Sequence, residues 1–195
     1  QRQMCIRDSF KNVIDVAVEL GVPQILVTSG WAYLDEPAED AWSRSVAMLR
    51  SVCDYADTRG IRVALEALQP SESVLVNTAQ DVARILEAVD RPNLKACIDF
   101  GAMEVAGDTI DGYFEVLGDK IVHTHFVDVG GGTTHLAWGD GERDMRADLE
   151  ALMRHGYTGY VSAETCDGRY YQDPSKATTQ VIEMYRRVTA EMEAE

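Results

Sequence analysis

The sequence predicts a parallel α/β protein, and three observations carry that prediction. Five short apolar runs behave like buried strands: Gln24 to Gly30, Arg62 to Leu68, Leu94 to Asp99, Lys120 to Asp128 and Gly159 to Glu164. Stretches of helical period separate them, each long enough to carry the chain back over a sheet. Four of the runs hold, at or near their ends, a residue able to bind a metal: VALE closes on Glu66, KACID on Asp99, IVHTH on His125 and GYVSAE on Glu164. A parallel sheet places all its carboxyl ends on one rim, so those four side chains are predicted to meet there.

The elements follow in order. Asn12 to Leu20 puts Val13, Val16, Ala17 and Leu20 on one helical face, with Gly21 as the stop. QILVTSG then reads as a buried strand entering a loop. From Glu39 to Arg59, Trp42, Val46, Leu49, Val52, Cys53 and Ala56 follow the helix period, and Gly60 ends it. RVALEAL is the second strand. Asn77 or Thr78 caps a helix carrying Val82, Ile85, Leu86 and Val89, closed near Arg91-Pro92. LKACID is the third strand, Thr109 to Leu117 a short helix, and KIVHTHFVD the fourth strand. The glycine-rich stretch VGGGTTHLAWGDGERD reads as a flexible lid, because no helix follows it directly and no Lys-Ser/Thr closes it as a phosphate loop would. A helix from Arg146 to His155, the strand GYVSAE, and a last helix opened by Pro174 with Val181, Met184, Tyr185 and Val188 on its face complete the chain.

At 195 residues, with 46% hydrophobic and 26% charged residues, the chain suits one globular domain. A formal net charge of −15 repels phosphate backbones, which argues against nucleic-acid binding. No apolar run approaches the ~20 residues of a membrane span, so no membrane association is expected and the expected location is the cytoplasm. Cys5, Cys53, Cys97 and Cys166 lie far apart without CxxC spacing, as reduced packing residues do.

Burying a lone carboxylate costs several kcal/mol unless it is paired or coordinates a metal. Glu66, Asp99 and Glu164 on neighbouring strands would repel one another, and a divalent cation resolves that repulsion. His125 completes an oxygen-rich donor set, for which Mn²⁺ is the first choice, with Mg²⁺, Co²⁺ or Zn²⁺ as alternatives. His123 shares the strand face one layer deeper and is expected to be a hydrogen-bonded core histidine. Asp128 is expected to orient His125 or to bind substrate, and His135, Trp138 and Arg143 to reach a bound polyol from the lid.

Five strand–helix units are fewer than the eight that close a barrel, typically ~250 residues long. Residues 1–9 are expected to be a non-native or disordered leader, since MCIRDS resembles the translation of a sequencing-adapter remnant. Residues 10–195 are then expected to be the C-terminal part of a (β/α)8 barrel, a fragment inactive alone.

LGVPQILVTSG, VALEAL, ACIDFG, IVHTHFVDV, WGDGERD and GYVSAE together resemble the xylose isomerase-like TIM barrels, the sugar phosphate isomerase/epimerase family that includes the AP endonuclease 2 domain. The resemblance runs from about Phe10 to the C-terminus. It implies Glu66, Asp99, His125 and Glu164 as metal ligands, with Glu66 and Glu164 also exchanging the proton. It further implies a small sugar substrate and is compatible with a homo-oligomer. ALQPSES, the HFVD turn and THLAWGDGE are most similar to fructoselysine 3-epimerase-like and ketose 3-epimerase enzymes. Two positions depart from the ketose pattern: Ala102 stands where many carry His, and Gly131 where many carry Arg. The expected activity is a metal-dependent ketose or fructosamine 3-epimerisation. Hydroxypyruvate isomerisation or inosose dehydration on the same scaffold is the alternative, and an AP endonuclease or an inactive barrel fragment is a more distant one.

Overall fold

A computed structural model describes residues 2–33 and 35–195, with side chains described from residue 6 onward, Leu34 excepted. Helix α1 (Arg2–Glu19) leads into strand β1 (Gln24–Thr28), α2 (Ala38–Asp57), β2 (Arg62–Glu66), α3 (Ala79–Val89) and β3 (Leu94–Asp99). There follow α4 (Phe100–Ala106), α5 (Ile110–Leu117), β4 (Ile121–His125), the pair β5 (Asp128–Gly130) and β6 (Thr133–Leu136), α6 (Met145–Arg154), β7 (Tyr160–Ser162) and α7 (Pro174–Glu193). Residues 2–9, set apart in the sequence as a leader, form part of α1.

The main sheet is parallel throughout, in the order β1-β2-β3-β4-β7. Its strands alternate in the way a one-sided helical cover requires: Ile25 and Val27 of β1 are buried under helices, while Leu26 and Thr28 point to the opposite face and are exposed. Val63, Leu65, Ala96 and Ile98 extend this layer against Val46, Leu49, Val52, Val82, Ile85 and Val89 of the covering helices. Thr78 caps α3 in a capping box with Asp81, and Asp90 closes it in a left-handed conformation. No helix among the described residues is long and apolar enough to cross a membrane.

Three expectations change. Helix α1 turns Ile14 and Ala17 to the core, whereas Val13, Val16 and Leu20 are exposed; the face is the i, i+4, i+7 series Phe10, Ile14, Ala17. In α7, Val181 and Val188 are buried with Ala177, but Tyr185 points outward. The glycine-rich stretch is an antiparallel hairpin rather than a loose lid. Gly131 and Gly132 both take positive φ, 57° and 77°, as a two-residue primed turn demands. Its far end is anchored by Leu136, Ala137 and Trp138, each 0–1% exposed.

Candidate metal centre

The register places the predicted ligands on one face of the sheet. Glu66 pairs with Cys97, and Asp99, two residues on, pairs with His125. His125 pairs with Ser162, and Glu164 lies two residues beyond it, just past the end of β7. Steps of two keep the side chain on the same side of the pleat, so all four project over the same rim.

They converge. One donor atom from each of Glu66, Asp99, His125 and Glu164 lies within 4.8 Å of every other. His125 Nδ1 is 2.5 Å from Glu66 Oε1, 2.9 Å from Glu164 Oε2 and 3.7 Å from Asp99 Oδ2. Asp99 also caps α4: its Oδ1 accepts the Ala102 N–H at 2.6 Å. That fixes the carboxylate and leaves Oδ2 facing the cluster, buried and without a hydrogen-bond partner. A buried carboxylate oxygen without a donor, among two further carboxylates and an imidazole, fits a divalent cation.

The electrostatics express the same crowding. Burial raises the Glu66 carboxyl above its ordinary range, against the pull of His125. Burial also acts to raise Glu164, but hydrogen bonds with His125 and His135 outweigh it and bring the group down to about 2. For His125 burial disfavours the charged ring, yet hydrogen bonds with Glu164 and Glu66 lift it to about 10. Cys97 lies near Glu66 and His125 and forms a second possible donor group with them. Its thiol is held well above the usual range by burial, as befits a packing residue.

The remaining predicted residues divide. His123 accepts a hydrogen bond from Gln24 at its Nδ1 (3.0 Å), as expected, but it is half-buried and not in the core. His135 joins the rim, its Nε2 3.5 Å from both Asp99 Oδ2 and Glu164 Oε2. Asp128 is engaged by the loop and not by His125. Oδ1 accepts from the N–H groups of Val129 (2.8 Å) and Arg143 (3.0 Å), and Oδ2 from those of Gly139 and Gly141 (2.9 Å each). Four amides fill the acceptor sites of this carboxylate, so it organises the loop instead of orienting His125. Gly141 is required there, because a Cβ at that position would fall 2.4 Å from Asp128 Oδ1.

Arg143 is likewise spent on structure. Its guanidinium makes a two-point pair with Asp148 at 2.8 and 2.9 Å, bonds Glu104, and stacks over Phe100. Trp138 is buried and donates its Nε1–H to the Phe126 carbonyl at 2.9 Å. Among the described cysteines all three are free: Cys53 and Cys97 are buried, but Cys166 is exposed, while the Cys5 side chain lies outside the described residues. Sequence reasoning did not assign Gln69 or Thr134, which connect the hairpin to the rim through a 3.0 Å hydrogen bond. No spacing pattern marks a contact across 65 residues.

A parallel α/β sheet that gathers four residues able to hold a metal at its carboxyl ends defines the class, a TIM-barrel-type site. The chain belongs to the xylose isomerase-like TIM barrel family, whose pattern it matches over residues 5–188. It is similar to fructoselysine 3-epimerase of Shigella flexneri, with 33% identity over 187 residues, covering 95% of this chain and 67% of that enzyme. In fold it is similar to 3-keto-D-glucoside 4-epimerase from E. coli in its apo form (TM-score 0.79, 20% identity, 93% of this chain and 70% of that one). The IOLI protein solved with a binding zinc atom is a further structural neighbour (TM-score 0.77, 24% identity, 94% and 69%). This chain therefore spans about two thirds of the length of these proteins. Close homologues and structural neighbours are sugar epimerases and isomerases.

Proposed function

We propose that this chain carries the metal centre and the proton-transferring carboxylates of a metal-dependent sugar 3-epimerase acting on a ketose or fructosamine. The observation that supports this most is the convergence of Glu66, Asp99, His125 and Glu164 with a buried Asp99 oxygen lacking any donor. The four residues would hold a divalent cation, Mn²⁺ by preference for an oxygen-rich set, with Mg²⁺, Co²⁺ or Zn²⁺ also suited. When bound, the cation supplies Lewis-acid polarisation of the substrate carbonyl.

Glu66 and Glu164 come from β2 and from the end of β7, with β3 and β4 between them. They can thus flank a sugar from two sides, one removing the proton beside the carbonyl and the other returning it to the opposite face. Asp99 and His125 act as holders. In the same reading residues 10–195 form the last five strand–helix units of the barrel, and the substrate is a small sugar.

Two measurements test this. Calorimetric titration of the chain with Mn²⁺ should give one site per chain, lost in His125→Ala. In the whole protein, exchange of the hydrogen beside the carbonyl of a ketose or fructosamine in D₂O should depend on metal and vanish in Glu66→Gln and Glu164→Gln. Binding without a fixed stoichiometry, or exchange indifferent to both glutamates, would contradict the proposal.

A further inference from the structure

His135 occupies an unusual place for a strand residue. It lies in β6 with φ at +58°, a left-handed backbone uncommon outside glycine, though asparagine, aspartate and histidine adopt it more often than other residues. The conformation swings the ring from the hairpin over the rim, where its side chain is 14% exposed and its Nε2 lies equally far, 3.5 Å, from Asp99 Oδ2 and Glu164 Oε2.

Its other nitrogen is engaged. Gln69 Nε2 donates to Thr134 Oγ1 at 3.0 Å, and Thr134 Oγ1 lies 2.9 Å from His135 Nδ1. A hydroxyl that accepts from an amide has its own proton free to donate, so Thr134 can direct its O–H at Nδ1. In the tautomer that accepts it, as in the charged ring, Nε2 carries a proton on the side of the two carboxylates. A nitrogen that bears a proton donates hydrogen bonds and does not ligate a cation. Gly101 permits the approach: a Cβ there would lie 3.0 Å from Thr134 Cβ and 3.3 Å from His135 Cε1.

We propose that His135 is a positioning residue of the metal centre, its Nε2 poised between Asp99 and Glu164 at 3.5 Å from each to keep both aimed at the cation without becoming a ligand. The inference rests on the functional reading above, and it gives the hairpin a fixed role at the site. Partners that orient metal ligands in this way typically change affinity by about 10- to 100-fold when removed.

The test uses His135→Asn, because asparagine tolerates the left-handed backbone while its shorter side chain ends before the carboxylates. Mn²⁺ affinity by calorimetry should fall about tenfold, with the thermal midpoint of the metal-free protein unchanged. Pulsed EPR of the Mn²⁺ complex should count one histidine nitrogen in both wild type and variant. Thr134→Val keeps the ring but removes the relay, and should weaken binding in the same direction; it decides the matter if His135→Asn does not fold. Unchanged affinity in these variants overturns the inference, as does a loss explained by a lower metal-free midpoint. Two bound histidine nitrogens in the wild type falling to one in His135→Asn would make His135 a ligand and also overturn it. A wild type that binds no Mn²⁺ overturns the functional reading, and the inference falls with it.

Discussion

Asp99 and Asp128 are equally buried, 2% and 1% exposed, and their surroundings differ completely. Asp128 is encircled by four backbone N–H groups drawn from a loop that folds around it. Asp99 has one oxygen on the first turn of α4 and the other without a donor, facing two more carboxylates. Burial alone therefore does not mark a site. What separates the structural aspartate from the candidate ligand is whether its charge is already compensated within the chain.

That contrast can be broken by experiment. The largest effect is expected at the satisfied residue: Asp128→Ala leaves four amides without their acceptor and should cost about 4 kcal/mol in chemical denaturation, even with partial rehydration. If the variant is as stable as the wild type, the loop is not organised by that carboxylate. Next comes the cation itself. At a Mn²⁺ concentration of 100 Kd the wild type should gain about 2.7 kcal/mol of stability. Asp99→Asn should gain almost none, while its metal-free form is no less stable than the wild type because a repelling charge has gone. An Asp99→Asn protein that is crippled without metal would show the two aspartates to be alike. The smallest effect belongs to Arg143→Gln, which breaks the two-point pair with the mostly buried Asp148. It should cost about 1–2 kcal/mol and leave Mn²⁺ affinity within twofold. A large affinity change would return Arg143 to the site.

The sequence made the strands and their terminal ligands legible because both rest on local signals: apolar runs of fixed length and a polar residue where each run stops. Helix ends were equally local, as Thr78 before Ala79 and Pro174 at the head of α7 illustrate. The facing of α1 was not, since Val13, Ile14, Val16 and Ala17 are all apolar and only the neighbouring sheet decides which of them is covered. The α4 turn escaped notice because seven residues, Phe100 to Ala106, are too few turns to display a helical period. Asp128 and Arg143 looked like site residues because spacing brings them near the rim, but spacing says nothing of the amides and carboxylates that occupy them. His135 was placed at the site, while its manner of contact depends on a positive φ that the letters do not announce.

Glu66, Asp99, His125 and Glu164 sharing one ion is the claim on which the functional account stands. Anomalous diffraction from crystals grown with Mn²⁺ tests it most directly. The account predicts a single strong peak at the rim, bonded to an atom of each of the four residues at about 2.0–2.3 Å. A rim without anomalous density, or a peak held by other side chains, would contradict it.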